Sequence, residues 1–307
     1  MKKRFLLTIG LIVLSMQVAM AQKAIAMLNH NDTVTIYSSN QLQNAIDKAV
    51  DGDIIYLSEG LFSAFTVGKN ITIMGAGKGT VIPGEVEIKK SNSLKLSNMH
   101  ITGSLFFNNK DIISNTIITQ CLIGDITFSG SKGTSYFTNI EIKMSQITGT
   151  ILMNTFLKSL EVTNSKINRI KQYGSNNSAA KFINCNISSI KDQFDPEACN
   201  SYQNCIIGTI AYGVFANCLY KDGSNGTLTD CKQDKDFTFD NDMNCSLSEA
   251  QLRTKGYLGS DGSVVGVDGG GDTPFTLASP LLQVVEHDIE VDNNNKKLRV
   301  TLKFGNK

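Results

Sequence analysis

The chain has 307 residues, and its 29 Lys and Arg against 28 Asp and Glu give a formal net charge of +1. This balance favours neither nucleic acid nor an anionic membrane surface as the main partner. Hydrophobic residues make up 41% and charged residues 19%, which is typical of a globular protein rather than a disordered one, and with only 3 His the composition identifies no reaction.

The N-terminal segment predicts export. Lys2-Lys3-Arg4 is followed by an apolar run over 5–18, and Ala19-Met20-Ala21 is the small-x-small pattern that signal peptidase accepts. No other stretch of the sequence approaches the roughly 18 apolar residues that a membrane span requires. We predict a signal peptide over 1–21 and an exported protein in the periplasm, at the cell surface or secreted, with no membrane span after signal removal. A membrane-anchoring helix is the alternative.

After a predicted linker over 22–31, the sequence predicts an amphipathic helix over 40–50. Its apolar residues follow the spacing of one helix face, at Leu42, Ala45, Ile46, Ala49 and Val50. Ser39 or Asn40 is expected to cap this helix, and Gly52 lies where it would end. The helix is expected to cover the apolar interior of the first turn of the β structure that follows.

From residue 54 the hydrophobic period changes to that of β-strands. Short β-rich runs occur at Ile54–Leu57, Phe65–Val67, Ile71–Met74 and Val86–Ile88. From about residue 93 a repeat follows, which reads apolar-x-x-small-x-Ile and recurs at intervals of 13 to 24 residues. The small position of this repeat is occupied by Met99, Cys121, Ser145, Ser165, Cys185, Cys205, Cys218 and Cys231.

Each repeat is too short to hold a helix as well as strands, but it fits one turn of a β-solenoid with two or three strands. Because stacked turns lie about 4.8 Å apart, equivalent residues form ladders around one continuous interior. Asn recurs one residue before the small position, where its amide can hydrogen-bond from turn to turn at a bend. A leucine-rich repeat is the alternative, but Ile and Val outnumber Leu at the strand positions and the connecting segments show no helical pattern.

The last part of the chain, 246–307, departs from the repeat and is predicted to cover the other end of the solenoid. Ser246 and Glu249 have the spacing of a capping box, so a short helix is expected from there to Lys255. Two segments of alternating apolar residues are expected to pair as a hairpin, namely Ile289–Val291 and Leu298–Leu302.

Residues 45–60 read Ala-Ile-x-x-Ala-Val-Asp-Gly-Asp-Ile-Ile-Tyr-Leu-x-x-Gly, and the run 71–75, Ile-Thr-Ile-Met-Gly, continues them. Together with the internal turn Phe182–Ile187, these residues resemble the right-handed parallel β-helix, or pectin-lyase-like, superfamily. The segment Gly259–Phe275 resembles the ending of uncharacterised secreted β-helix proteins of Gram-negative gut-type bacteria. The resemblance implies an all-β fold, a single-stranded right-handed parallel β-helix over 32–245 with an N-terminal capping helix and an irregular C-terminal cap. It implies no single activity, because the superfamily includes polysaccharide lyases, glycosidases, esterases and adhesins.

A ladder of basic residues is the candidate for lyase chemistry. Lys171 and Lys191 each follow the last Ile of their turn, twenty residues apart, so they are predicted to stack on one outer face, with Arg169 two residues before Lys171. Adjacent cations depress a lysine pKa, and they can neutralise a uronate carboxylate while one amine abstracts the α-proton. These three residues are the catalytic candidates, and a solvated outer face is the alternative. The candidate ligand-binding residues are Asp192, Asp195, Tyr173 and Tyr212.

An acidic run and the cysteines are the remaining candidates for a metal site and a disulfide. Asp234, Asp236, Asp240 and Asp242 carry hard oxygen ligands that suit Ca²⁺, without EF-hand spacing. Calcium is therefore the one cofactor considered, with a solvated loop as the alternative. Five of the seven Cys occupy the small interior position and are predicted to be buried thiols. The other two, Cys199 and Cys245, are candidates for a disulfide.

The leading hypothesis is an exported, non-catalytic binding or structural module at the cell surface. Its expected partners are polysaccharide or cell-envelope components, because the repeat is regular and the sequence shows no catalytic cluster. The competing hypothesis is a polysaccharide lyase that acts on a uronate-containing glycan through the basic ladder. The sequence leaves the oligomeric state open.

Overall fold

A computed structural model of the chain describes residues 24–31, 33–108, 112–129, 136–154, 156–172, 180–191, 200–270, 275–277, 282–292 and 297–306. Outside these ranges lie the predicted signal peptide 1–21 and four residues that the sequence singles out, Tyr173, Asp192, Asp195 and Cys199. Among the described residues, none of the helices has the length and apolar character that crossing a bilayer requires.

The described chain begins with an antiparallel strand pair, β1 (Ile25–His30) and β2 (Thr33–Ser38). β1 also pairs antiparallel with β3 (Ile54–Leu57), so it extends the first sheet of the solenoid. Its alternate residues Ala26 and Leu28 are buried, which explains why this segment forms a strand. Residues 22–31 are therefore not a linker from Ile25 onward, in contrast to the prediction.

The predicted N-terminal helix is present. A 3₁₀ turn over Ser39–Gln41 leads into α1 (Leu42–Lys48), whose Leu42, Ala45 and Ile46 are buried against the column. Neither expected cap is used, because Ser39 lies inside the 3₁₀ turn and the residue that precedes α1, Gln41, makes no side-chain capping bond. The helix ends before Gly52 because Ala49 is already extended.

In the described part of the chain two sheets form the body of the protein, each with twelve strands, and apart from the antiparallel pairs of β1 their strands pair parallel. After β2, β1 and β3, the strands of sheet 1 follow in chain order as β6 (Thr72–Met74), β9 (Lys95–Ser97), β11 (Ile113–Thr119), β13 (Phe137–Lys143), β15 (Leu160–Thr163), β17 (Ala180–Ile183), β19 (Ser201–Gln203), β21 (Val214–Ala216) and β23 (Thr227–Thr229). The strands of sheet 2 are β4 (Gly60–Leu61), β5 (Thr66–Val67), β7 (Thr80–Ile82), β8 (Val86–Ile88), β10 (His100–Phe107), β12 (Leu122–Phe128), β14 (Gln146–Met153), β16 (Lys166–Gln172), β18 (Asn186–Lys191), β20 (Ile206–Ile210), β22 (Leu219–Gly223) and β24 (Lys232–Gln233).

The chain alternates between the two sheets, so the fold is a parallel β-solenoid, as predicted. Neighbouring turns pair in register, and the predicted isoleucine ladder is continuous and fully buried at Ile101, Ile123, Ile147, Ile167, Ile187 and Ile207. The small position faces the same interior, where Ser145, Cys185 and Cys205 are buried. A leucine-rich repeat is excluded, because the described turns connect their two strands without helices.

The recurring Asn marks a corner between sheet 1 and sheet 2. The residue before the small position has a positive φ of 44–55° in every turn from Asn98 onward, at Asn98, Gln120, Met144, Asn164, Asn184, Asn204, Asn217 and Asp230. Asn is the non-glycine residue best suited to this left-handed conformation, which explains its recurrence. The predicted amide bonds between these asparagines are not found among the described residues. An amide bond between neighbouring turns occurs instead within sheet 1, where Asn139 Nδ2 of β13 donates to Asn115 Oδ1 of β11 at 3.1 Å.

Residues 234–270, here called the return segment, do not cover the open end of the column as predicted. They lie along its side instead, where Phe237 and Val264 pack against Ile206 and Leu219 of the outer face of sheet 2. Leu228, which belongs to the interior of the last described turn, is consequently 43% exposed.

Asparagines at the corner and at the start of the following strand hold the return segment in place. Asn164 Nδ2 donates to the carbonyl of Gly269 at 2.9 Å, and Asn186 Nδ2 donates to the carbonyl of Met243 at 3.0 Å. The carbonyl of Asn204 accepts a hydrogen bond from the N–H of Gly266 at 2.8 Å. Three successive turns of the solenoid are thereby bonded to one segment of chain.

The short C-terminal helix and the hairpin are present, with one shift of boundary. α2 (Glu249–Thr254) begins after Ser248, whose hydroxyl accepts a hydrogen bond from Gln251 N while Gln251 Oε1 accepts one from Ser248 N. The capping box therefore lies two residues beyond the predicted Ser246–Glu249 pair. The hairpin consists of β25 (Leu282–Asp292) and β26 (Lys297–Asn306), which pair antiparallel.

Candidate functional site

The predicted basic ladder forms on sheet 2. Lys171 of β16 pairs in register with Lys191 of β18, and Arg169 lies on the same strand opposite Ser189. Arg169 and Lys191 are exposed, whereas Lys171 is partly buried. Of the predicted ligand-binding residues, only Tyr212 is described, and it lies half-buried in the bend after β20. The structure therefore brings the three cations together on an outer face.

The four predicted calcium ligands are not brought together. Asp234 accepts hydrogen bonds from Lys255 Nζ at 2.7 Å and from Tyr257 Oη at 3.0 Å, and the bond from Lys255 is the main cause that lowers the pKa of Asp234. Asp240 instead accepts bonds from the side chain and the N–H of Asn244. Within the described part of the chain, His, Cys, Asp and Glu form no group of three that could hold a metal ion.

Four of the five ladder cysteines, Cys121, Cys185, Cys205 and Cys218, are buried thiols as predicted, whereas Cys231 in the last described turn is half-buried. Each Sγ donates to the carbonyl two residues earlier, at 3.2 Å for Cys185 and Cys205 and at 3.3 Å for Cys121. Burial raises the pKa of Cys121 to about 12, so the thiol stays protonated and unreactive. Cys245 is a free thiol, and Cys199, its predicted disulfide partner, lies outside the described residues.

A cleft that the sequence did not predict lies between the solenoid and the chain that folds back along it. Its volume is about 630 Å³, which is within the usual range for small-molecule sites. Gln146 and Lys166 form part of its wall on sheet 2, and the turn 76–79 forms another part. Asn244 of the return segment and Phe275 line the opposite side.

Lys166 is the central residue of this cleft. It is the first residue of β16, next to the corner, and it is only 8% exposed. Its Nζ donates to Asn244 Oδ1 and lies 4.5 Å from the centroid of the Phe275 ring. No carboxylate of the described residues forms an ion pair with it. Burial lowers the pKa of Lys166, the carboxylates of Asp268, Asp240 and Asp242 act in the opposite direction, and Lys78 adds a smaller lowering effect.

Two neighbours complete the polar wall. Gln146 pairs in register with Lys166 on the adjacent turn, is 6% exposed, and its side-chain amide makes no hydrogen bond to a described group. Asn244 is oriented by Asp240, whose Oδ2 accepts from Asn244 Nδ2 at 2.7 Å, so that Asn244 Oδ1 faces Lys166. The cleft therefore presents two buried donor groups, one charged and one neutral, to its interior.

The sequence contains a weak signal for this site. The position after the small residue carries Gln146, Lys166 and Asn186 in successive turns, whereas the turns that follow carry Ile206 and Leu219. All five side chains are buried, because the chain that follows the solenoid covers them. Three successive polar residues that are buried at a position occupied by Ile and Leu in the next two turns indicate a polar site, but only the structure shows what covers it.

Comparisons with known proteins give no relative of this chain: no family model, no curated protein and no solved structure matches it. A parallel β-solenoid does not by itself imply an activity, because function depends on the residues of the site. The residues around Lys166 are therefore the best guide to what the protein does.

Proposed function

We propose that the protein is an exported member of the right-handed parallel β-helix, or pectin-lyase-like, superfamily that binds a carboxylate-bearing glycan of the cell envelope. The parallel solenoid with its stacked isoleucines supports the family, and the pattern of residues 1–21 supports export. One observation supports the binding function most directly. Lys166 places a buried ammonium group in a cleft without an ion-pair partner among the described residues.

A buried cation without a counter-ion costs folding free energy, so its presence in a protein indicates a function. Taking an ammonium group out of water costs several kcal/mol, and proteins usually pair such a charge with a carboxylate. Lys166 is instead in direct contact with a neutral acceptor, Asn244, and an aromatic face, Phe275. The carboxylates of Asp268, Asp240 and Asp242 act on it only from beyond the 4.0 Å of an ion pair. A ligand carboxylate that enters the cleft would supply the missing charge, and the free amide of Gln146 would donate a second hydrogen bond.

The basic ladder extends this surface. Lys166, Arg169 and Lys171 lie on one strand, β16, and the five steps along the strand from Lys166 to Lys171 span about 17 Å. Lys191 stands beside Lys171 on the next turn. A polymeric acid bound at Lys166 would therefore meet further cations along the outer face of sheet 2.

A polysaccharide lyase is the second candidate, and one observation favours it. The lowered pKa of Lys166 and the nearby cation Lys78 are what β-elimination from a uronate needs. In that reaction the neutral amine takes the proton next to the carboxyl group, a C=C bond forms, the C–O bond to the leaving sugar breaks, and water protonates the leaving oxygen. Lys78 would stabilise the charge that develops on the carboxylate.

Binding and turnover can be separated with one set of acidic polysaccharides. We expect the purified protein to bind polygalacturonate or alginate in calorimetry and to leave neutral glucans unbound. Lys166→Met is expected to weaken this binding at least tenfold, while Lys95→Met, an exposed lysine on sheet 1, leaves it unchanged. If the wild type produced the absorbance of unsaturated uronate and Lys166→Met or Lys191→Ala did not, the protein would be a lyase instead. Equal binding by the wild type and Lys166→Met would overturn the assignment of the cleft.

A further inference from the structure

The cleft around Lys166 contains charged groups of both signs that do not pair with one another. Lys78 and Lys166 supply two cations, and Glu59 and Asp242 supply two carboxylates. Among the described residues, none of these four groups takes part in an ion pair within 4.0 Å. Opposite charges around one cleft therefore remain available to a ligand.

Local contacts hold several of these groups in place. Lys166 is held by Asn244 Oδ1 and the ring of Phe275. The backbone of Asp242 is fixed by its N–H, which donates to Asp240 Oδ1 at 2.9 Å. Glu59 lies against the turn 76–79, where Gly79 leaves room for it, because a Cβ at Gly79 would lie 2.8 Å from Glu59 Cδ.

Gln146 is the second observation that points to a ligand. Its side chain is 6% exposed, lines the cleft beside Lys166, and has no hydrogen-bond partner among the described groups. Its amide lines the cleft, so a bound carboxylate would give it a hydrogen bond that no described group supplies. Gln146 and Lys166, on adjacent turns, therefore provide donors for an anion, and Asp242 and Glu59, which line the same cleft, provide acceptors for a cation.

We propose that the ligand of this cleft is a zwitterionic saccharide, whose carboxylate binds Lys166, Gln146 and Lys78 and whose protonated amine binds Asp242 and Glu59. This inference rests on the proposed glycan-binding function and specifies its ligand. It predicts that an acidic sugar with an amino group binds more tightly than a plain uronate, which carries only the negative charge. The volume of the cleft, about 630 Å³, is sufficient for one or two sugar units.

Three matched monosaccharides test this proposal directly. Muramic acid carries a carboxylate and a free amine, N-acetylmuramic acid carries the carboxylate alone, and glucosamine carries the amine alone. At about pH 6 the carboxylate is ionised and the amine is protonated. We expect muramic acid to bind at least tenfold more tightly than either of the other two sugars in calorimetric titrations.

Variants assign each charge to its end of the ligand. The double variant Glu59→Gln with Asp242→Asn is expected to reduce the affinity for muramic acid to that for N-acetylmuramic acid, without weakening the latter. Lys166→Met is expected to abolish binding of both carboxylated sugars, and Lys95→Met is expected to change neither. Glu59 and Asp242 are exposed, so circular dichroism and the Tm of the double variant should match those of the wild type.

The outcomes distinguish this inference from the proposed function. Equal affinity for muramic acid and N-acetylmuramic acid, or no effect of the double variant, would overturn the zwitterionic ligand while the acidic-glycan function stands. No binding of any carboxylated sugar or polymer would overturn both. Tighter binding of a short peptide such as alanyl-lysine than of every sugar would overturn the saccharide in favour of a peptide ligand.

Discussion

Asn244 Oδ1 accepts a hydrogen bond from Lys166 Nζ, which joins the wall of the solenoid to a loop 78 positions later in the chain. Asp240 orients this amide, so three residues form a chain of hydrogen bonds that runs from a carboxylate to a buried ammonium group. The position of Lys166 in the cleft consequently depends on a segment that is not part of any solenoid turn.

The first prediction concerns the free energy that this buried charge costs. Lys166→Met removes the desolvated ammonium and keeps an unbranched side chain, so the free energy of unfolding should not fall by more than about 1 kcal/mol. Asn244→Ala leaves the ammonium group buried without its acceptor, and it should cost roughly 1–3 kcal/mol. Guanidinium unfolding of the two variants compares these effects. A larger loss for Lys166→Met than for Asn244→Ala would contradict the argument.

The second prediction concerns pH and Asp234. Hydrogen bonds from Lys255, the N–H of Asp236 and Tyr257 lower the pKa of Asp234 below its unfolded value of 3.8, although burial opposes them. A lowered carboxyl pKa contributes stability above the unfolded pKa, and this stability is lost as the pH falls through the folded pKa. Asp234→Asn should therefore be less stable than the wild type at about pH 7, with the difference shrinking below about pH 4.

Denaturant unfolding between about pH 7 and pH 3 measures this difference. Asp236→Asn is the matched control, because the Asp236 carboxylate is exposed and lies two residues away. If the difference in the free energy of unfolding between the wild type and Asp234→Asn did not change across this pH range, the ion pair with Lys255 would not explain the loss of stability in acid.

The third prediction concerns the small position of the interior ladder. Ser145 and Ser165 already occupy this position, and Ser165 Oγ accepts from Ser145 N at 3.1 Å and donates to the carbonyl of Thr163 at 2.8 Å. Cys205→Ser should therefore cost less than about 1 kcal/mol, because a hydroxyl finds the same carbonyl acceptor as the thiol does. Cys205→Leu should cost roughly 1–3 kcal/mol through overpacking. Urea unfolding of both variants checks this order, and similar losses would contradict it.

The fourth prediction separates two roles of the corner asparagines. Asn204 has a φ of 54°, and its Oδ1 accepts a hydrogen bond from Ser260 N at 3.1 Å. Asn204→Gly keeps the left-handed backbone and removes only the hydrogen bond, whereas Asn204→Ala adds about 1 kcal/mol or more of backbone strain. Thermal unfolding should rank the wild type first, the glycine variant second and the alanine variant third. An alanine variant as stable as the glycine variant would show that the backbone conformation is not what selects Asn.

The interior of the solenoid is predictable from the sequence because its geometry is repetitive. Ile147, Ile167 and Ile187 occupy equivalent positions of turns that pair in register, so the spacing of identical residues carries the same information as their contacts. The same reasoning places Lys171 beside Lys191. Repetition also explains why the corner Asn stood out, although its cause is the left-handed backbone rather than amide bonds between neighbouring turns.

The cleft could not be predicted in this way, because it depends on contacts between distant parts of the chain. The hydrogen bond from Asn164 to Gly269 joins residues 105 positions apart, and nothing in a repeat pattern specifies it. β1 was missed for a related reason, since it pairs antiparallel with β3 and does not carry the repeat. From the sequence, Lys166 is expected to be an ordinary exposed residue on the outer face, because the repeat pattern does not show that the return segment covers it.

The hydrogen bonds from three consecutive turns to one return segment limit how the protein can change in length. Solenoids commonly gain or lose whole repeats, because each repeat contacts mainly its neighbours. Here an extra repeat between Asn164 and Asn204 would move their bonding groups about 4.8 Å farther apart along the axis, out of reach of Gly269 and Gly266. Duplication of a turn should therefore be tolerated before about residue 140 but not between these two asparagines. The number of turns between Asn164 and Asn204 is consequently fixed by the return segment.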